Sequence, residues 1–117
     1  MTTILVLDDD QVILDLLQAV LSDAGYEIAV APSLEAVPAE TSADILITDL
    51  VPLKAYRREL AVEWIASLRA RFADSPLLIM TAHANAVAEA DLLGANAIMT
   101  KPFDVDVLLA KLDELLT

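Results

Sequence analysis

The stretch Ile4-Leu5-Val6-Leu7-Asp8-Asp9-Asp10-Gln11 places four aliphatic residues directly before three carboxylates. A continuous apolar run of this length, with no polar alternation, predicts a strand that is buried on both faces of a sheet. Four further runs of the same kind follow along the chain, at Ile28–Ala31, Ile45–Thr48, Leu77–Thr81 and Ala97–Thr100. The sequence therefore predicts five buried strands, and the first ends on a cluster of acids.

Segments with a helical hydrophobic period separate these strands. Apolar residues recur at helical spacing from Ile13 to Leu21, from Ala61 to Phe72 and from Val105 to Leu115. Two shorter, alanine-rich segments, Ser33–Glu40 and Asn85–Leu93, are also predicted to be helical. The alternation predicts an α/β fold of the (βα)5 type, a doubly wound five-stranded parallel sheet with helices on both faces.

Residues that favour helix ends stand at the ends of these segments. Gly25 and Gly94 each follow a predicted helix and suit a left-handed C-terminal cap. Ser33 and Asp104 precede helical segments and are predicted to be N-caps. Asp10 is expected to cap the first helix in the same way, accepting an amide hydrogen bond where the helix dipole favours negative charge.

Composition restricts the possible functions. The chain has 117 residues, a mass of 12.6 kDa and a net charge of −12, which suit one domain, residues 1–117, with no output domain. No cysteine is present, which excludes disulfides, zinc-thiolate sites and thiol nucleophiles. No apolar run approaches the ~18 residues of a membrane span, and the negative charge disfavours direct nucleic-acid binding. We expect a cytoplasmic domain that binds cations or other proteins.

In a doubly wound parallel sheet, ligands bind outside the carboxyl ends of the strands. The chemically active residues that follow the predicted strands are Asp8, Asp9, Asp10, Asp49, Thr81 and Lys101. Converging carboxylates repel one another unless a cation neutralises them, and a set of oxygen ligands favours Mg²⁺, with Mn²⁺ as a second possibility. With a hydroxyl and a lysine added, the set predicts phosphoryl transfer to or from an aspartate.

Four segments of the sequence resemble the receiver domain of two-component response regulators. They are ILVLDDD at 4–10, ITDL at 47–50, LLIMTAHA at 77–84 and GANAIMTKPF at 94–103. Together they span essentially the whole chain in the order and strand-end positions of that family. The resemblance implies a flavodoxin-like sheet, as in CheY, with strand order 2-1-3-4-5.

The resemblance also implies a role for individual residues. Asp49 would be the phosphoacceptor, and it would hold Mg²⁺ together with Asp8, Asp9 and the backbone carbonyl of Val51. Thr81 and Lys101 would contact the phosphoryl oxygens. Pro102 would follow Lys101 through a peptide bond that is usually cis in the family.

Receiver domains switch when they are phosphorylated, and the resemblance assigns the switch to Thr81 and Ile98. Thr81 would move towards the phosphoryl group, and Ile98 would follow and change the surface around the fourth predicted helix and the fifth strand. The sequence departs from the family at two points. Ile98 replaces a residue that is commonly aromatic, and the loop after Asp49 has its proline at position 52 and lacks the usual glycine.

The implied partners are proteins. A histidine kinase or a phosphotransfer protein would donate the phosphoryl group, and an unidentified protein target would receive the signal. Few basic residues balance the acids around the last helix, which favours a monomer or a weak dimer.

Two other functions remain open from the sequence. Asp8-Asp9-Asp10-Gln11-Val12 also fits the D-x-D-x-[TV] pattern of haloacid-dehalogenase-type phosphohydrolases, with Asp8 as nucleophile and Asp10 as acid/base. That hypothesis leaves Asp49 without a role. The other is a receiver-like module that binds a partner irrespective of phosphorylation. Metal-dependent phosphorylation would distinguish the three.

Overall fold

The computed structural model describes residues 2–49, 57–82, 84–89, 94–101 and 103–116. Five strands are present in this part of the chain: β1 (Thr3–Leu7), β2 (Glu27–Ala31), β3 (Ile45–Thr48), β4 (Leu77–Thr81) and β5 (Ala97–Thr100). The same residues contain four helices: α1 (Gln11–Asp23), α2 (Arg58–Arg71), α3 (Ala84–Ala88) and α4 (Val105–Leu116). None of these helices is both long and apolar enough to cross a lipid bilayer.

The strands form one parallel sheet in the order β2-β1-β3-β4-β5, as predicted. Leu7, the last residue of β1, is paired with Ala31 on one side and with Thr48 on the other. Thr81 and Thr100 are paired at the ends of β4 and β5. Because the registers align the strand ends, the residues that follow β1 and β3 leave the sheet side by side.

The two faces of the sheet carry separate apolar clusters. On one face, which we call the α1/α4 face, strand residues such as Ile4 and Ile47 pack with Leu14, Leu17, Leu21, Leu108 and Leu112. On the other, the α2/α3 face, strand residues such as Leu5 and Ile79 pack with Val37, Ala61, Ile65, Leu68, Phe72 and Ala86. Neighbouring strand residues alternate between the two clusters because successive side chains point to opposite faces. Helices therefore cover both faces, as predicted.

Three of the predicted caps are confirmed. The Asp10 side chain accepts a hydrogen bond from the Val12 amide at 2.9 Å, and α1 begins at the next residue. Asp104 caps α4 in the same way, accepting from the Asp106 amide at 2.8 Å. Gly25 follows α1 with φ of 99°, a left-handed conformation that costs glycine least. Gly94 also has a positive φ, of 80°, but residues 90–93 before it lie outside the described part of the chain.

The helix predicted over Ser33–Glu40 was wrong, and so was its N-cap at Ser33. The segment forms turns, in which the Val37 amide donates to the carbonyl of Leu34, only three residues back, at 3.1 Å. Pro38 has no amide hydrogen and disfavours the helical conformation at the residue before it. A segment of eight residues with a proline inside it cannot complete the hydrogen bonds of a stable helix.

Arg71, at the end of α2, stabilises the turns from outside the segment. Its guanidinium donates to the backbone carbonyls of Leu34, Val37 and Pro38, at 3.3, 3.4 and 2.6 Å. We call residues 32–44 the turn segment. It covers part of the α2/α3 face, and Val37 enters the core there.

Candidate functional site

The site lies at the carboxyl edge of the sheet, where β1 and β3 end beside each other. Asp8 and Asp49 are the first residues beyond these strands. Their amides continue the strand hydrogen bonding: Asp8 donates to the carbonyl of Ala31 at 3.2 Å, and Asp49 to that of Leu7 at 2.9 Å. Both acids therefore project from backbone that is fixed by the sheet.

Three carboxylates meet at this edge. Asp8, Asp9 and Asp49 each present a carboxylate oxygen, and these atoms lie within 4.8 Å of one another. Asp8 is buried, Asp49 is partly buried and Asp9 is exposed. An all-oxygen set with one solvent-facing member fits Mg²⁺, which binds one or two carboxylates and retains several waters. The residues present therefore fit the cation that their chemistry suggests.

Lys101 connects two of the three acids. It follows β5, and its Nζ lies 2.7 Å from Oδ2 of Asp8 and 3.3 Å from Oδ2 of Asp49. Its backbone amide donates to the carbonyl of Thr81 at 2.9 Å, which fixes the lysine against the end of β4. One positive charge is thus held between two carboxylates.

The environment changes the acid strength of both partners. Burial raises the pKa of Asp8, and the nearby charge of Asp49 adds to this, although hydrogen bonds from Lys101 and from the Asp10 amide oppose it. Burial by itself would lower the pKa of Lys101. Its hydrogen bond to Asp8 and its attraction to both acids outweigh burial, so the pKa of Lys101 is raised and the ammonium stays charged at neutral pH.

Asp10 has a different position from its two neighbours. Its carboxylate is exposed and caps α1, while its amide donates to Oδ1 of Asp8 at 2.9 Å. Asp10 therefore acts as an N-cap and orients Asp8, and it is not a member of the carboxylate group.

The two predicted switch residues lie on neighbouring strands. Thr81 is fully buried as the last residue of β4. Ile98 is half-buried on β5, is paired with Ile79 and packs against the cluster of the α2/α3 face. Val51, predicted as a metal ligand through its carbonyl, and Pro102 lie outside the described residues.

Two residues that the sequence did not single out for the site form a hydrogen-bonded link to the backbone of Asp49. The hydroxyl of Thr48 is fully buried and donates to the carbonyl oxygen of Asp49 at 2.6 Å. The same hydroxyl accepts a hydrogen bond from the indole Nε1 of Trp64, on α2, at 3.0 Å. Trp64 lies within the apolar helical stripe predicted from Ala61 to Phe72, and it packs against the α2/α3 cluster. The only sequence signal for this contact is that Thr48, a polar residue, ends the apolar run Ile45–Thr48.

The fold and the site together define a doubly wound α/β domain with an acidic, lysine-bridged centre at its topological switch point. Residues 4–113 match the family model of the response regulator receiver domain, and the chain belongs to that family. It is accordingly a receiver domain of two-component response regulators, a family of signalling domains. No curated protein matches the chain.

Solved structures of response regulators resemble the whole chain. TrrA from Thermotoga maritima, in complex with Mg²⁺ and BeF, is 28% identical with a TM-score of 0.79, and the match covers 99% of this chain and 100% of TrrA. Full-length FixJ from B. japonicum is 27% identical with a TM-score of 0.78, covering 98% of this chain and 57% of FixJ. A CheY-like receiver domain protein from Methanospirillum hungatei is also 27% identical, with a TM-score of 0.77, covering 99% of this chain and 94% of that one.

Proposed function

We propose that Asp49 is the residue that accepts the phosphoryl group, from a histidine kinase or a phosphotransfer protein. A carboxylate oxygen of Asp49 attacks the phosphorus of the donor's phosphohistidine. The P–N bond breaks, and the imidazole nitrogen keeps its electron pair, which leaves an aspartyl phosphate on the receiver. The observation that carries this proposal is the position of Asp49 beside Lys101 and the two other carboxylates.

Asp49 suits the role of nucleophile better than Asp8 does. The Asp8 side chain is 3% exposed, whereas that of Asp49 is 19% exposed. Both oxygens of Asp8 already accept hydrogen bonds, from Lys101 and from the Asp10 amide, and burial raises its pKa. An acid held in this way is a poor nucleophile. The same contacts argue against a hydrolase that attacks through Asp8 and protonates through Asp10.

The remaining site residues stabilise the charge that the phosphoryl group brings. Lys101 pairs with the phosphoryl oxygens, and the hydroxyl of Thr81 contacts them. Asp8, Asp9, Asp49 and the Val51 carbonyl would hold Mg²⁺, or Mn²⁺ in its place, and the ion would supply positive charge to offset the negative phosphoryl oxygens.

Phosphorylation then changes a surface that a protein target recognises. The charge on Asp49 draws Thr81 inward, Ile98 follows on the adjacent strand, and the surface around α3 and β5 rearranges. The domain acts in the cytoplasm as a monomer or a weak dimer, and its partners are proteins rather than nucleic acid, in keeping with its net charge of −12.

Phosphorylation by a small donor tests the proposal. The folded chain is incubated with acetyl phosphate and Mg²⁺, and incorporation of phosphate is followed by intact-mass spectrometry. We expect one phosphate on the wild type, none on Asp49→Asn, and none on the wild type when EDTA removes the metal. Asp15→Asn, which removes an exposed carboxylate from α1, is the matched control and should be labelled like the wild type.

Other results would contradict the proposal in different ways. Label that persists in Asp49→Asn but disappears in Asp8→Asn would indicate the hydrolase chemistry. A folded wild type that takes no label would indicate a module that binds irrespective of phosphorylation.

A further inference from the structure

A chain of hydrogen bonds joins helix α2 to the backbone of the acceptor residue. The indole N–H of Trp64 donates to Oγ1 of Thr48 at 3.0 Å, and this hydroxyl donates to the carbonyl of Asp49 at 2.6 Å. We propose that Thr48 and Trp64 are positioning residues, which hold the Asp49 backbone in the orientation that phosphoryl acceptance requires. This inference rests on the proposed function of Asp49.

The hydrogen bonds from Trp64 through Thr48 hold one backbone group of Asp49, and β1 holds the other. The Asp49 amide donates to the Leu7 carbonyl at 2.9 Å, so β1 holds the N–H and Thr48 holds the C=O of the same residue. A threonine hydroxyl has only one hydrogen, and here it is directed to Asp49 because the Trp64 N–H occupies the acceptor side of the oxygen. Trp64 thereby determines the direction in which the Thr48 hydroxyl points.

Packing alone does not call for a hydroxyl at position 48. The residues paired with Thr48 in the sheet, Leu7 and Ile79, are aliphatic, and so are the other residues of β3. A valine would fill nearly the same volume at this fully buried position. The hydroxyl is therefore used for its hydrogen bonds, and these lead to the acceptor residue.

Positioning of this kind affects the rate of the reaction. Displacing a reacting group by about 1 Å can cost on the order of 10²-fold in rate. Asp49 is the first residue after β3, so its carboxylate direction depends on how its own peptide is held. If the free energy of one neutral hydrogen bond is lost from the transition state, the rate of phosphorylation falls roughly tenfold. We take this as the expected effect of removing the Thr48 hydroxyl.

Three substitutions distinguish the effect of losing the hydroxyl or the indole N–H from the effect of changing side-chain volume. Thr48→Val removes the hydroxyl, Thr48→Ser restores it, and Trp64→Phe removes the N–H but keeps an aromatic ring. We measure the initial rate of Asp49 phosphorylation by acetyl phosphate with Mg²⁺, at a temperature where circular dichroism shows every variant folded. We expect Thr48→Val to be slowed roughly tenfold, Trp64→Phe about threefold, and Thr48→Ser to be close to the wild type.

The double variant and the control complete the comparison. Because the two side chains act through one hydrogen-bonded chain, Thr48→Val with Trp64→Phe should be no slower than Thr48→Val alone. Ser67→Ala, which removes a hydroxyl from α2 that bonds only to the Glu63 carbonyl among the described contacts, should leave the rate unchanged.

Tryptophan emission provides a second measurement. Trp64 is the only tryptophan in the chain, so its fluorescence reports this indole alone. We expect acetyl phosphate to shift the emission in the wild type and in Thr48→Ser. The shift should be lost in Thr48→Val, which breaks the hydrogen-bonded link between Trp64 and Asp49. It should also be lost in Asp49→Asn, which removes the carboxylate that accepts the phosphoryl group.

Equal rates in Thr48→Val, Trp64→Phe and the wild type would overturn the inference, as would a Thr48→Ser variant as slow as Thr48→Val. Either result leaves the role of Asp49 intact as long as Asp49→Asn takes no label. If Asp49→Asn is labelled, or the wild type is not, the proposed function fails and the inference fails with it.

Discussion

The two faces of the sheet are covered in different ways. On the α1/α4 face, two helices of 13 and 12 residues bury leucines at helical spacing against the strands. The α2/α3 face has one helix of 14 residues, a short helix of five residues and the turn segment. The first face follows from local sequence pattern, whereas the second also depends on contacts between residues far apart in the chain.

Polar side chains of α2 make those distant contacts. Arg71 donates to three carbonyls of the turn segment, and Arg69 donates to the side chain of Asn96. Trp64 donates to Thr48. The described helices of the α1/α4 face have Asp N-caps close in sequence instead. The backbone of Asp49 is therefore linked to the face whose structure is held by long-range hydrogen bonds.

The largest expected effect comes from breaking the apolar packing of the α1/α4 face. Leu17 is 1% exposed, and Leu17→Ala should lower the free energy of unfolding by about 2–5 kcal/mol, because it leaves a cavity as well as removing buried surface. Urea denaturation followed by circular dichroism measures this. The neighbouring Leu16 is 44% exposed, so Leu16→Ala is the matched control, with an expected change within about 0.5 kcal/mol. Similar losses in both variants would contradict the description of this face.

A smaller effect should follow from breaking the contacts of Arg71. Arg71→Met keeps an unbranched apolar stem but removes the donors to three carbonyls, and should cost about 1.5–3 kcal/mol, the range for hydrogen bonds to charged groups. Hydrogen exchange should quicken in the turn segment and stay unchanged in α1.

Arg58→Met is the control for Arg71→Met. Arg58 makes an exposed ion pair with Glu89 at 3.0 Å, which should contribute about 0–1 kcal/mol. If Arg71→Met changed stability no more than Arg58→Met, or left exchange in the turn segment unaltered, Arg71 would not be what holds that segment.

The same contrast explains how much of the fold could be predicted. The bounds of β3, β4 and β5 agree with the prediction, and β1 and β2 each begin one residue earlier than predicted. These strands could be predicted because a continuous apolar run can be recognised from local sequence, and such a run is typical of a strand that is buried on both faces. The helix predicted over Ser33–Glu40 was wrong because Pro38 disfavours a helix there, and the turns that form instead are held by Arg71, more than thirty residues away. No local pattern could have shown that contact.

The candidate site likewise has one part that could be predicted from the sequence and another that could not. Asp8, Asp9, Asp49 and Lys101 come together because strand ends meet at one edge of a parallel sheet, and alternating strands and helices are enough to predict this. Their individual chemical roles remain predictions. The contact between Thr48 and Trp64 could not be predicted, because both residues fit an apolar strand or helix stripe, and only the packing of α2 brings the indole to the hydroxyl.

The smallest expected effect concerns how the helices of the two faces begin. Asp104 caps α4 by accepting from the amides of Asp106 and Val107, so Asp104→Ala should cost about 1 kcal/mol, whereas Asp104→Asn keeps an acceptor and should cost less. In the described part of the chain, α2 begins after Arg57 without a side-chain cap. Arg57→Asp should therefore stabilise the protein by about 0.5–1 kcal/mol, since it supplies the missing acceptor and places negative charge at the helix N-terminus.

Urea denaturation of Asp104→Ala, Asp104→Asn and Arg57→Asp, at low ionic strength where charge at a helix end contributes most, measures all three changes. If Asp104→Ala lowers the free energy of unfolding and Arg57→Asp raises it, side-chain capping stabilises α4 on the α1/α4 face. The same result would show that α2, which has no such cap, is stabilised when one is added. A loss of stability in Arg57→Asp would instead mean that the start of α2 is set by contacts that an aspartate disrupts. The α2/α3 face would then depend on long-range contacts at both ends of its main helix.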